Sequence, residues 1–157
     1  MTWIVRIVVL LLLGAAALQL YARWPRDFAT AHGSVEMPGP GDGIWGHGAG
    51  AHISVSRDAA PETALAEIDA VIRSTPRTDV VAGGVEDGIV TYTTRTAFWG
   101  FPDLTTVEAV ADGQGARLNI RAGLWIGKYD LGVNEARVVG WLQALGIPVP
   151  ESRTGSP

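Results

Sequence analysis

The residues best placed to do chemistry lie in one run, Gly127-Lys128-Tyr129-Asp130-Leu131-Gly132-Val133-Asn134-Glu135-Ala136-Arg137. Gly127 and Gly132 permit backbone angles that other residues resist. Asn134 is of a type that satisfies the unpaired N–H groups at a helix start. Arg137, in the first helical turn, is disfavoured by the helix dipole and calls for a carboxylate partner, of which Asp130 is the nearest. Together with Arg121 on the preceding strand, the set Arg121, Asp130, Asn134 and Arg137 has the donors and acceptors of an anion or ligand site. The same residues also read as a turn locked by a cap and an ion pair, and that reading accounts for every one of them. A second set, Trp99, Phe101 and Trp125, is an aromatic patch suited to a protein partner or an apolar ligand.

Other chemistries have less support. The chain has no cysteine, which excludes disulfides, thiolate zinc sites and cysteine nucleophiles. His47 and His52 with Asp42 are metal-binding residue types, but they stand in a glycine-rich stretch and form no helical i, i+4 pair. No metal or other cofactor is expected. There is no Gly-x-Ser-x-Gly, and the glycines between 39 and 50 lack the Lys-Ser/Thr ending of a phosphate loop. Acid–base catalysis would need Asp103, Asp130 or Glu108 to converge in a cleft with a shifted pKa. Beyond Asp27 the chain carries nine Lys+Arg against fifteen Asp+Glu. Such an acidic domain argues against nucleic acid, whose binding depends on neutralising phosphates.

The elements that must position these residues begin with an apolar segment. From Ile7 to Ala22 there is no charge, and Trp3 to Ala22 as a helix is about 30 Å long, the thickness of a bilayer core. Tyr21 and Trp24 fall where an interfacial aromatic belt lies, and Pro25 ends the helix. The segment reads as a retained transmembrane anchor, with a cleaved signal peptide as the alternative, Ala15-Ala16-Ala17 supplying small residues for cleavage. The expected place is a bacterial inner membrane, crossed once, with the domain on the periplasmic side. The excess of arginine just after the segment points the other way.

Residues 23–50 read as a Pro/Gly-rich linker, 51–148 as the domain and 149–157 as a flexible tail. Within the domain, Ile53 and Val55 alternate in a strand, and Asp58 and Pro61 open a helix bearing Leu65, Ile68, Val71 and Ile72. Val80 to Ala82 and Ile89 to Ala97 read as strands, and the Thr91 to Thr96 run as a solvated sheet face. Thr105 to Ala111 and Arg117 to Ile126 flank the turn Asp112-Gly113-Gln114-Gly115. Leu118, Ile120, Ala122 and Leu124 share one face of that last strand, Arg117, Asn119, Arg121 and Trp125 the other. A final helix starts at Asn134 and ends at Gly146. The fold class is α+β: an antiparallel sheet of about four to five strands, two helices on one face, and one N-terminal transmembrane helix ahead of it.

The segment Arg121 to Val138 resembles the signature of the domain-of-unknown-function family 1499, found in bacteria and chloroplasts. Arg121, Gly127, Asp130, Gly132, Asn134 and Arg137 match it, and Phe98-Trp99-Gly100-Phe101-Pro102-Asp103 is similar to the family's aromatic-then-Asp segment. The resemblance covers about residues 51 to 146. Ala122-Gly123-Leu124-Trp125 departs from it, standing where many members carry Ser-x-Ser-Arg. The resemblance implies fold and location rather than an activity. The function expected is that of a membrane-anchored, non-enzymatic accessory domain binding a protein partner in a membrane complex. The alternative is a small domain for an apolar ligand or lipid at the membrane surface. A concave pocket under the wetter face of the sheet would favour the ligand, a flat aromatic patch the partner.

Overall fold

Segments that alternate apolar and polar side chains form one antiparallel sheet in this computed structural model, which describes residues 2–153, the His47 side chain excepted. The strands are β1 (Gly43–His47), β2 (Gly50–Arg57), β3 (Thr78–Gly84), β4 (Ile89–Arg95), β5 (Pro102–Asp112) and β6 (Gly115–Leu124), in the order β1-β2-β6-β5-β4-β3. The sheet therefore has six strands, where the sequence suggests four to five. The sixth is β1, inside the Gly-rich stretch. Burial of Ile44 and Trp45 offsets the entropy that its glycines lose on ordering. Glu151 to Arg153, read from sequence as tail, run beside β1: Ile44 N–H donates to Glu151 O at 3.0 Å and Arg153 N–H to Ile44 O at 2.7 Å. Residues 154–157 of the tail lie outside the described ones.

Helices α2 (Pro61–Ser74) and α3 (Val133–Ala144) cover one face. Leu65, Ile68 and Ile72 of α2 and Val138, Trp141 and Leu142 of α3 meet Ile53, Val55, Leu118, Ile120, Val107, Val90 and Tyr92 in one core. Full burial of each such side chain is worth roughly 1.5–3 kcal/mol. Pro61 opens α2 behind Ala60, which makes no side-chain cap, so Asp58 does not cap it as its spacing suggests. The Tyr92 hydroxyl donates to Asp69 Oδ1 at 2.7 Å, and burial first, then Asp69, pushes its pKa well above the ordinary tyrosine value.

The opposite face is polar but not bare. Residues 27–35 cross it as a strap, held by a 3₁₀ turn (Phe28–Ala31) in which Asp27 accepts from Ala29 N–H. His32 Nδ1 meets Thr91 Oγ1 at 2.9 Å, and Thr91 meets Thr106 at 3.0 Å. Glu108 accepts from Ser34 Oγ and from Val35 N–H, at 2.8 and 2.9 Å. Thr91 and Thr93 are consequently buried on this face, and Thr94 is buried on the helix face, none of them solvated as their composition suggests. Gly83, at φ +73, makes this approach possible, since a Cβ there would stand 2.7 Å from His32 Cε1.

Ahead of the strap lies α1 (Thr2–Arg23), long and apolar enough to cross a membrane, a test that a signal sequence also passes. Its last carbonyls are bound by two arginines. Arg26 donates to Tyr21 O at 2.8 Å, and Arg95 of β4 to Ala22 O at 3.0 Å.

Replacing Glu108 by Ala removes the acceptor for Ser34 and Val35. The expected cost is about 1 kcal/mol in denaturant unfolding, with faster hydrogen exchange at the Val35 amide and unchanged exchange at Ile120.

Candidate functional site

Two polar assemblies exist, one on each side of the sheet. The first joins β5 to the start of α3. Asp103 at the head of β5 is 1% exposed, and its Oδ2 accepts from Arg137 Nη2 at 2.8 Å. Arg137 Nη1 also donates to Asn134 Oδ1 at 2.7 Å. Asp130 lies in the turn ahead, where its two carboxylate oxygens accept from Gly132 N–H (2.8 Å) and Asn134 N–H (3.1 Å). These bonds correct two expectations. Asp130, not Asn134, satisfies the helix start, because Gly132 holds the cap position with φ +78 and brings the preceding turn over the free amides. Asp103, not Asp130, pairs with Arg137, because strand pairing sets the head of β5 beneath the first turn of α3. Sequence distance conceals that contact.

Burial raises the Asp103 pKa, and Arg137 and Asn134 only partly offset it, so its carboxyl stays above the usual range. Raised pKa values are often catalytic, but this one lies beneath a helix. Glu108, an odd number of residues along the same strand, faces the strap. Glu108 is thus separated from Asp103 and Asp130, which share the helix side of the sheet, where the charge of Asp130 adds to the rise of the Asp103 pKa. Among the described residues no three His, Asp or Glu side chains gather as metal ligands. Asp42 instead binds Ser56 and Arg117. Burial would raise its pKa, but hydrogen bonds from the Ser56 side chain and backbone and the nearby Arg117 guanidinium outweigh this and hold it below the usual range.

The second assembly is concave. Thr30 and Ala31 of the strap stand over Leu104, Thr106, Arg121, Gly123, Leu124 and Trp125, enclosing an open cleft of about 440 Å³. Gly123 contributes no side chain, which deepens the floor between Leu104 and Arg121. Arg121 Nη2 donates to Ala31 O at 3.0 Å, and its guanidinium makes no ion pair among the described residues. Trp125, 38% exposed, closes one end against Phe28, edge to face at 5.5 Å. Arg95 lies over the other side of the Phe28 ring, 5.8 Å from its centre.

The residues singled out from sequence are therefore divided. Asp130, Asn134 and Arg137 belong to the brace under α3, while Arg121 lies on the strap side, so these four do not form one site. Trp125 meets Phe28 edge to face, and its N–H donates to Pro102 O, next to Phe101, at 3.2 Å. Trp99 makes its ring contact with Phe98, centroids 4.9 Å apart. Thr30, Ala31, Leu104 and Thr106 escape a sequence reading. The inward side of β5 carries no signal that a segment some 75 residues earlier covers it.

The raised Asp103 pKa sets the sign of one prediction. With its folded value above the unfolded one, the stability Asp103 contributes is complete below the unfolded pKa and is lost as pH rises through the folded value. Arg137→Met strands that charge, so the variant is expected to lose about 3–5 kcal/mol at neutral pH and to recover part of it on acidification, read from urea midpoints across the range. Asp130→Ala is expected to cost about 1 kcal/mol in urea unfolding, the worth of a helix cap, without altering hydrogen exchange in the strap.

Residues 50–145, more than half the chain, match the family described as "Protein of unknown function (DUF1499)". No curated protein matches the chain. The matched span runs from the first residue of β2 to the end of α3 and includes the brace under α3 and the sheet side of the cleft, but not the strap residues Thr30 and Ala31 that cover it. The chain belongs to the DUF1499 family.

Proposed function

We propose that the domain is a membrane-held, non-enzymatic module whose cleft takes a small amphiphile with an acidic head. The carrying observation is Arg121: a cation with no carboxylate partner among the described residues, on the floor of a concave site beside Leu104, Leu124 and Trp125. A guanidinium beside apolar walls suits an anionic group attached to a short chain, since it offers charge-assisted hydrogen bonds and the walls offer apolar burial. Where many relatives carry Ser and Arg, this chain has Leu124 and Trp125, which shifts the cleft toward apolar substituents. The site lies near the end of the sheet where α1 ends, within reach of a bilayer if α1 spans it. An accessory role in a larger membrane complex is compatible with the same placement.

A protein partner remains a second reading because of one feature. The turn ahead of α3 displays Tyr129, Leu131 and Val133 to solvent, with Leu131 94% exposed at φ +55. An exposed leucine held in the left-handed region is uncommon and costs energy.

The two readings separate in a titration of the full-length protein in neutral nanodiscs with hexyl phosphate, hexanol and inorganic phosphate, followed at the Trp125 indole resonance. Hexyl phosphate is expected to bind tighter than either fragment, and Arg121→Gln to weaken it about tenfold at unchanged melting temperature. Binding that is indifferent to Arg121, or shifts confined to residues 129–133, would overturn the cleft reading.

A further inference from the structure

Loop 96–101 touches the last turn of α1, from Gln19 to Arg23. Gln19 Nε2 donates to Phe98 O at 3.4 Å, and Arg23 Nη1 donates both to Trp99 O and to Gln19 Oε1, each at 3.2 Å. Arg95 ties the base of the loop, donating to Gly100 O and Ala22 O, both at 3.0 Å. Thr96 Oγ1 accepts from Phe101 N–H at 2.9 Å, closing the loop on itself. The loop is thus fixed by its backbone, and its most exposed large side chain, Phe98, is left out. Phe98 is 68% exposed and turns toward no core. At a rise of about 1.5 Å per residue, Gln19 lies roughly 6 Å further into the apolar part of α1 than Arg23 does.

We infer that the tip of this loop, Phe98 above all, is a second membrane contact that enters the lipid interface beside α1. This rests on α1 being a membrane anchor. The occupant follows from continuity: Gln19, which binds Phe98 O, stands between Leu18 and Leu20 in α1, both exposed and part of the apolar surface that a bilayer would cover. A shallow groove of about 340 Å³ runs along Ala16, Gln19 and Leu20, with the Arg23 cation in its lining. Arg23 and Arg26 stand at headgroup height, while the acidic excess of the chain lies in the domain beyond. Two attachments, a helix and an inserted aromatic, fix the tilt of the domain where a helix alone leaves it free to turn. The opening of the cleft then keeps a constant height over the lipid.

The absence of cysteine in the chain lets single thiols report depth. Phe98→Cys, Leu11→Cys and Gly113→Cys are each labelled with a bimane in the full-length protein and reconstituted in vesicles of phosphatidylcholine and phosphatidylglycerol. Quenching by spin-labelled lipid is then measured. The expected result is emission reduced at least about twofold at positions 98 and 11, and unchanged at 113 on the distal hairpin. Quenching at 11 with none at 98 overturns the loop insertion and leaves the anchor standing. No quenching at 11 removes the anchor, and the inference with it.

Discussion

A row of polar side chains, His52, Arg121, Thr106 and Thr91, crosses four strands in register on the face that the helices leave uncovered. A six-stranded sheet of this size has one face that two short helices can bury, and these helices take the apolar one. The other face has to satisfy its hydroxyls and its charge in some other way. Residues 27–35 do so, meeting Thr91 through His32, Arg121 through the Ala31 carbonyl and Glu108 through Ser34 and Val35. Because the cover is a single strand of chain and not a helix, it closes the face only where it touches it. The cleft is what remains between those contacts, and among the described residues that line it Arg121 is the one cation.

The brace under α3 solves a different problem. An arginine in the first turn of a helix opposes the dipole, and a carboxylate buried at the head of a strand is costly alone. Each tolerates the other because β5 and α3 are set against one another, with Asn134 bridging. Such a pair adds little net stability over well-packed apolar residues, but it penalises any arrangement in which α3 slides along the sheet. Asp130 fixes the turn that feeds the helix and thereby the display of Leu131. The residues that carry the resemblance are in this sense mostly explained by folding, with Arg121, in the cleft beneath the strap, the exception.

Much of the architecture is legible in the sequence because its signals are local. Alternation along 117–124 assigns the faces of β6, glycine at 113 with φ +61 makes the hairpin, and Leu65, Ile68 and Ile72 orient α2. What escapes is nonlocal. β1 hides in a glycine-rich stretch because its stability comes from β2 beside it and from burial of Ile44 and Trp45. The partner of Arg137 lies 34 residues away across the sheet, and the nearest carboxylate in sequence is not the nearest in space. The strap is least legible of all, since nothing in His32 or Ser34 announces that they meet β4 and β5. Arg121 can be found from sequence as a candidate, but its neighbours in the cleft cannot.

The central claim is that the space beneath the strap is a ligand site and not a vacant gap or a seat for another chain. The most direct measurement replaces Leu104 with a photoreactive phenylalanine analogue in cells, irradiates, and determines the mass added to the purified protein. An adduct of lipid or fatty-acid size, lost when Arg121 is changed to Gln, is the predicted result. Cross-linking to a second polypeptide, or an adduct indifferent to Arg121, would contradict it.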